Sequence, residues 1–363
     1  MFVRNVWYVA GFEEDFEAPF VARRILGEPV LMYRSSVGGY VALKDECPHR
    51  LVPLSLGERI GDCIQCGYHG MCFSTDGACT SVPGQDNIPE AARVDTYPLV
   101  ARHGIVWIWM GNRDLAAPEL IPDLHWNSSD RWAASRGYHH FNCNYTLMND
   151  NLLDLSHETY VHKSTIGTHE KEPIASFTPK VTMVGDCMVR AHREMRGIEA
   201  PPFFATMIGR DCTINRWQSA IHFVPSTNLT VLGIHPVEED RATARVAHVL
   251  HLLTPESESS THYFWAVIRN FRIDDADLTE ELRVGNSRTF DEDRDIVEAQ
   301  QRRIMETGRT VPGVAIVQDQ SPIRARRMLE KRLKQEQDDP AYTVLPPQLV
   351  PEHSFALLEE FAA

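Results

Sequence analysis

Cys47-Pro48-His49-Arg50 and Cys66-Gly67-Tyr68-His69-Gly70, with sixteen residues between His49 and Cys66, are the stretch around which the rest of the chain is organised. One pair is spaced C-x-H and the other C-x-x-H, so each short loop presents one thiolate and one imidazole. Two such loop tips facing each other can enclose a metal centre. A [2Fe–2S] cluster with two cysteines on one iron and two histidines on the other requires this ligand set, at potentials of roughly −150 to +300 mV. The competing reading is structural zinc, which also accepts Cys2His2. Zinc fingers, however, usually keep like ligands together, as C-x2-4-C followed by H-x3-5-H, whereas here each loop mixes the two types.

The same loops, C-P-H-R and C-x-Y-H-G, resemble those of Rieske proteins of the oxygenase type. Around them the sequence reads as strands. Val30–Tyr33 and Tyr40–Leu43 flank Ser35-Ser36-Val37-Gly38-Gly39 as a hairpin, Asp76-Gly77 marks a turn, and Ile105–Trp109 is an apolar strand ended by Gly111-Asn112. We expect a small β domain over residues 1–112, a linker over 113–130 and a second domain over 131–363.

Bulk properties narrow the class. The 363 residues suffice for two cores, and 43% hydrophobic with 24% charged residues describes a globular chain. A net charge of −14 argues against nucleic acid as a partner. No run approaches the roughly 20 apolar residues of a membrane span, and Met1–Trp7 lacks signal-peptide character, so no membrane partner and a cytoplasmic location are expected. Cys63, Cys72 and Cys79 crowd the cluster region and are expected to be thiols, not disulfides.

In the second domain, Tyr145 to about Val161 has helical spacing, and Asn151, Asp154 and His157 fall three apart on one face. His162 lies five beyond His157, about 140° off that face on an ideal helix. The pair can share one metal only if the helix ends or bulges. Strands are expected at 180–184, 229–232, 245–250 and 262–265, followed by a long helix over 277–305. Ser321-Pro322 is expected to open a charged helix with Ser as its cap, and Pro346, Pro347 and Pro351 suggest an extended arm. Two histidines and one carboxylate leaving open positions form the ligand set of a non-haem Fe(II) oxygenase. Several acids in Asp291-Glu292-Asp293 offer themselves as the carboxylate, and spacing alone does not separate them.

N-x-x-D-x-x-H-x4-H after a Rieske domain resembles the catalytic subunits of Rieske non-haem iron oxygenases over essentially the whole chain. The segment Asp150–His162, Ala200-Pro201-Pro202-Phe203 and Thr254-Pro255-Glu256-Ser257 are similar to the vanillate O-demethylase oxygenase components. That resemblance implies an α+β chain, a Rieske β domain followed by a helix-grip (START-like) catalytic domain with an antiparallel sheet. It implies Cys47, His49, Cys66 and His69 on the cluster, and His157, His162 and Asp293 on Fe(II), with Asp291 the weaker choice for the acid. Asp154, with Asn151 beside it, would be catalytic, Asp154 linking His157 to a cluster histidine, His69 being the candidate, of a neighbour in a homotrimer. His251 matches a pocket histidine, and Thr230 and Val284 stand where the dicamba-demethylating type has larger residues. The implied reaction is O2-dependent O-demethylation of a vanillate-like methoxylated aromatic acid to a phenol and formaldehyde. Electrons would come from NAD(P)H through a separate flavin/ferredoxin-type reductase, since no nucleotide-binding glycine loop occurs here. Competing readings are another Rieske oxidation of an aromatic, a non-enzymatic electron carrier, and a zinc structural protein.

Overall fold

The computed structural model describes residues 1–163, 165–167, 173–309, 311 and 313–347, so the expected arm is described through Pro347 and Pro351 lies outside the described residues. The chain divides into two compact units. The first comprises Met1–Leu120 together with Thr254–Glu258 and Pro340–Thr343; the second takes the remainder.

The first unit holds strands β1 (Trp7–Phe12), β2 (Val21–Ile25), β3 (Glu28–Arg34), β4 (Tyr40–Lys44), β5 (Glu58–Ile60), β6 (Cys63–Gln65), β7 (Cys72–Phe73), β8 (Cys79–Ser81), β9 (Leu99–Arg102) and β10 (Ile105–Trp109). They form three small antiparallel sheets, ordered β1-β10-β9, β2-β3-β4 and β5-β6-β7-β8. The run Val30-Leu31-Met32-Tyr33 in β3 is apolar without a break because both of its faces are covered. Val30 and Met32 join Tyr8, Ile25 and Ile108 in one core. Leu31 and Tyr33 join Leu43, Leu54, Ile64 and Phe73 in a second, and that second core also contains Cys47 and Cys66. The two cysteines are therefore part of the packing that fixes their loops. Between β7 and β8 the turn at Asp76-Gly77 needs its glycine: φ is +80°, and a Cβ would stand 2.1 Å from the Val94 carbonyl oxygen.

The second unit is built on a seven-stranded sheet of β11 (Ala133–Phe141), β12 (Lys180–Val184), β13 (Met188–Glu199), β14 (Thr213–Phe223), β15 (Thr227–Pro236), β16 (Arg245–Ser257) and β17 (Ser260–Arg269). Its order is β11-β17-β16-β15-β14-β13-β12, a meander closed at one edge by β11. The helices are α1 (Tyr145–Leu153), α2 (Glu158–Val161), α3 (Pro202–Ile208), α4 (Ala276–Thr307) and α5 (Gln320–Asp338). β15 is buried at all ten positions, as a central strand covered on both faces should be.

α4 begins where the Asp275 carboxylate accepts from Leu278 N at 2.9 Å, and it ends at Gly308, φ +63°. Its buried face runs Leu278, Leu282, Asn286, Thr289, Phe290, Asp293, Val297 and Gln301, the i, i+3/i+4 stripe of an amphipathic helix. An α+β chain with a β domain followed by an antiparallel-sheet catalytic unit is what the fold shows. The expectation for α5 needs correction: the helix starts two residues earlier, after Asp319, and the Ser321 hydroxyl donates to Leu153 O at 3.1 Å instead of capping. No described helix is long and apolar enough to cross a membrane.

Candidate metal centres and the cavity beside them

In the cluster loops, Cys47 N donates to Val52 O, and Leu51 N closes back on Cys47 O at 2.8 Å; Cys66 N donates to Met71 O, and Gly70 N returns to Cys66 O at 3.0 Å. Each loop is thus a tight turn pinned at its cysteine. Cys47 and Cys66 are each only 2% exposed, while His49 and His69 are exposed with ring centroids 4.6 Å apart. Burial pushes the Cys47 thiol up, and the neighbouring Cys66 thiol adds to the effect. Neither imidazole makes a hydrogen bond among the described residues. Sulfurs inside and open imidazoles at the tip suit a [2Fe–2S] cluster whose histidine-bound iron lies towards the surface. All eight cysteines are free thiols.

The second donor set arises from a broken helix. A single helix from Tyr145 to Val161 is not what forms. α1 stops at Leu153, Asp154 leaves helical geometry (φ −111°, ψ 91°), and its carboxylate accepts from Ser156 N at 2.9 Å, capping a 3-10 turn over Leu155–His157. α2 follows for four residues and ends at His162, φ −104°. Because His157 precedes this short helix and His162 terminates it, the ideal-helix angle between them no longer applies. Gly167 packs against that end, where a Cβ would lie 2.6 Å from Glu158 O.

α4 brings Asp293 to meet them. Its Oδ1 lies 3.4 Å from His157 Nε2 and 3.3 Å from His162 Nε2, and one donor atom from each of the three falls within 4.8 Å of the others. The opposite ring nitrogens are held. His157 Nδ1 is 2.6 Å from Asp154 O and His162 Nδ1 is 2.8 Å from Glu292 Oε2. Acceptors at Nδ1 keep the proton there and leave the Nε2 lone pairs for a metal. Asn151 Nδ2 donates to Asp293 Oδ1 at 3.0 Å. Burial alone would lower His157 and raise Asp293, but their mutual contact wins, lifting His157 to about 9 and holding Asp293 far below the ordinary carboxylate range. A divalent cation would replace that proton-mediated attraction, so the donor chemistry fits Fe(II).

The remaining sequence candidates separate clearly. Asp291 turns away to His139 Nε2 at 3.3 Å and Arg294 at 2.8 Å. Asp154 touches His157 through its main-chain oxygen, not its carboxylate. The triad borders a cavity walled by Leu232, Ala247, Val249 and Val267 of the sheet and Leu282 and Phe290 of α4. Thr230 and His251 line it. Val284 does not, because two residues after Leu282 is the opposite side of the helix, and Asn286 lines the cavity instead. His251 is a satisfied neutral imidazole: Nδ1 is 2.6 Å from Tyr263 OH, Nε2 is 3.2 Å from Thr230 Oγ1, and burial drops it to about 3. It therefore brings no positive charge to the cavity. Sequence reading named Glu292 only as one of several possible acids and missed its contact with His162, and it missed Glu158 and Arg216 altogether. Glu292 and Glu158 each adjoin a proposed ligand, and Arg216 stands in the inward alternation Ile214, Arg216, Gln218, Ala220, signals that adjacency and period-2 reading could have supplied.

Fold and donor sets together define an iron-dependent oxidoreductase with a separate cluster domain, and comparison with known proteins agrees. Residues 6–98 match the Rieske [2Fe-2S] domain, and residues 141–335 match the vanillate O-demethylase oxygenase C-terminal domain. The chain is 36% identical to the vanillate O-demethylase oxygenase subunit of Pseudomonas sp. (strain HR199), over 93% of this chain and 97% of that one. It is 35% identical to the iron-sulfur subunit of the toluene-4-sulfonate monooxygenase system of Comamonas testosteroni, over 93% and 98%. A solved structure of dicamba monooxygenase bound to 3,6-dichlorosalicylic acid superposes with TM-score 0.86 at 33% identity, covering 93% of this chain and 99% of that one. The chain belongs to the vanillate O-demethylase-type Rieske oxygenases and is the oxygenase component of an aromatic monooxygenase.

Proposed function

We propose that this oxygenase O-demethylates a methoxylated, vanillate-like aromatic acid with O2, drawing electrons from NAD(P)H through a separate flavin/ferredoxin-type reductase. The observation that carries the reading is the convergence of His157, His162 and Asp293 on the wall of a mostly apolar cavity, the setting of a small-molecule site. Cys47, His49, Cys66 and His69 would hold the cluster, and the triad would hold Fe(II), which when bound supplies oxygen activation next to the substrate.

The chain's own residues prepare that step. Asp154 O and Glu292 Oε2 fix the protons of the two histidines on Nδ1, and Asn151 steadies Asp293 by its side-chain amide. Tyr263, whose phenol burial keeps protonated, donates to His251 Nδ1; His251 then donates from Nε2 to Thr230, whose own hydroxyl proton is left to face the cavity. The apolar wall excludes water and holds a ring near the triad. Hydroxylation of the O-methyl carbon gives a hemiacetal that collapses to phenol and formaldehyde. In the homotrimer we propose, the Asp154–His157 segment receives the electron from a neighbouring protomer's cluster. The names of the relatives, oxygenase or iron-sulfur subunits of multicomponent systems, support a distinct reductase.

Oxygen uptake and formaldehyde release, measured with a reductase, NADH and a panel of methoxybenzoates, test this. Formaldehyde in step with O2 consumption is expected. O2 uptake giving ring-hydroxylated product without formaldehyde would replace demethylation with another Rieske oxidation.

A further inference from the structure

Arg216 stands on β14, is only 2% exposed, and lines the cavity. Its Nη2 lies 2.9 Å from Glu158 Oε2, and its guanidinium sits 4.2 Å over the Phe204 ring. Nε and Nη1 are buried and make no hydrogen bond among the described residues. Gln218, two residues along the same strand face, donates from Nε2 to the other Glu158 oxygen, and its own Oε1 also has no partner among the described residues. Arg193, 5% exposed and directly across from Gln218 in the β13–β14 register, is a second guanidinium, and its charge interacts with Glu158 and Asp154. A buried N–H of a charged group left without an acceptor is costlier than a neutral one in the same position. Unused donors on a residue that lines the cavity call for a ligand acceptor, and an anionic acceptor pairs best with a guanidinium.

The opposite end of the cavity is different. Thr230 pairs with Ala220 and Val249 in the strand register, four positions along β14 from Arg216, about 13 Å at 3.3 Å per residue. Both nitrogens of His251 are used there, and it is uncharged. Among the described residues lining the cavity, Arg216 is the single Lys or Arg.

We propose that Arg216 anchors the acid group of the substrate. The carboxylate or sulfonate of an aryl acid accepts from the free N–H groups of Arg216, the ring lies across Leu232, Ala247 and Val249, and the neutral Thr230–His251–Tyr263 end meets the uncharged edge. Gln218 Oε1 accepts from a hydroxyl of the ligand where one is present. This assignment rests on the cavity being the substrate cavity, as proposed above, and it makes an anionic group a requirement for tight binding.

The test is anaerobic calorimetric titration of the iron- and cluster-loaded protein with 3-methoxybenzoate, its methyl ester, and toluene-4-sulfonate, which needs no turnover. Wild type should prefer the acids over the ester by roughly 30-fold or more, the size expected for a buried hydrogen-bonded charge contact. Because Arg216→Gln leaves Glu158 buried without its ion-pair partner, the Glu158→Gln/Arg216→Gln double variant serves beside it, with thermal melting and visible absorbance as folding checks. Both variants should bind acid and ester alike, and Arg216→Lys should recover part of the preference. Loss for both acids supports a general anion anchor, and loss for one alone assigns the anchor to that acid. An acid preference that survives in the double variant overturns the proposal. So does a wild type that demethylates neutral methoxyarenes but binds no aryl acid, with the demethylase reading left standing. No binding of any aromatic ligand, acid or ester, would overturn both.

Discussion

The two donor sets place their imidazoles in opposite surroundings. In the cluster loops the sulfurs are core and the histidines are surface: Cys47 and Cys66 pack with Leu54, Ile64 and Phe73, while His49 and His69 face out. In the triad nearly everything is inside, with His162 at 1% and Asp293 at 8% exposure, and each nitrogen that faces away from the metal position is held by a specific acceptor. The first arrangement suits a carrier that exchanges electrons with something outside its own unit. The second suits chemistry from which water must be kept.

That contrast is broken most severely by removing a donor from each side. Asp293→Ala should abolish ferrous binding and lower formaldehyde formation by roughly 10³-fold or more, while the visible spectrum of the cluster stays intact. Cys66→Ser should do the reverse in the spectrum, bleaching it while ferrous iron still titrates into the other site. It should also destabilise the first unit by about 1–3 kcal/mol, because a hydroxyl replaces a thiol in an apolar core. Metal analysis, absorbance and thermal melts on the same preparations separate the two effects. A ferrous site lost together with the cluster in both variants would mean that the donor sets are not independent.

A smaller change sharpens the comparison. Glu292 holds His162 from behind, 2.8 Å from Nδ1, and nothing comparable supports His49 or His69 among the described residues. Glu292→Ala should weaken iron affinity by about 10- to 100-fold, the usual consequence of removing such a support, and leave the cluster spectrum unchanged. Unaltered iron affinity would show that packing alone orients His162.

How much of this was legible in the sequence follows the same division. The cluster loops are contiguous, so four ligands and their turns could be read from 23 residues, Cys47 to His69. The hairpin before them and the strand Ile105–Trp109 formed as expected because apolar runs bounded by Gly, Asn and Ser are local signals. The triad spans two segments more than 120 residues apart, and its histidine spacing contradicted an ideal helix. Helical periodicity could not reveal that Asp154 would desert the helix to cap the next turn. Asp293 came from family resemblance; its rejection of Asp291 is a matter of which way α4 faces, and that is fixed by tertiary packing. The same packing turned Val284 away from the cavity and left Arg216 inside it with donors unspent. Composition and spacing carry no record of an unused hydrogen bond.

The mildest effect concerns the buried imidazoles of the catalytic sheet. His248 is 1% exposed, has no hydrogen-bond partner for either nitrogen among the described residues, and stacks on Trp126 with ring centroids 4.5 Å apart. Burial drops it from 6.5 to about 3. Between those values the unfolded chain binds a proton that the folded one refuses, so stability falls as pH falls from 6.5 towards 3 and is fully present above 6.5. One such group contributes a slope of up to about 1.4 kcal/mol per pH unit. His222 and His192, each pushed down to about 4 chiefly by burial, act in the same direction. His248→Phe keeps an aromatic ring against Trp126 and removes the titration, so chemical denaturation curves from pH 7 to pH 4.5 should lose stability less steeply in the variant, by about one histidine's share. An identical slope in both proteins would mean that His248 takes up its proton in the folded state, and that the sheet is open to water where the structure shows it closed.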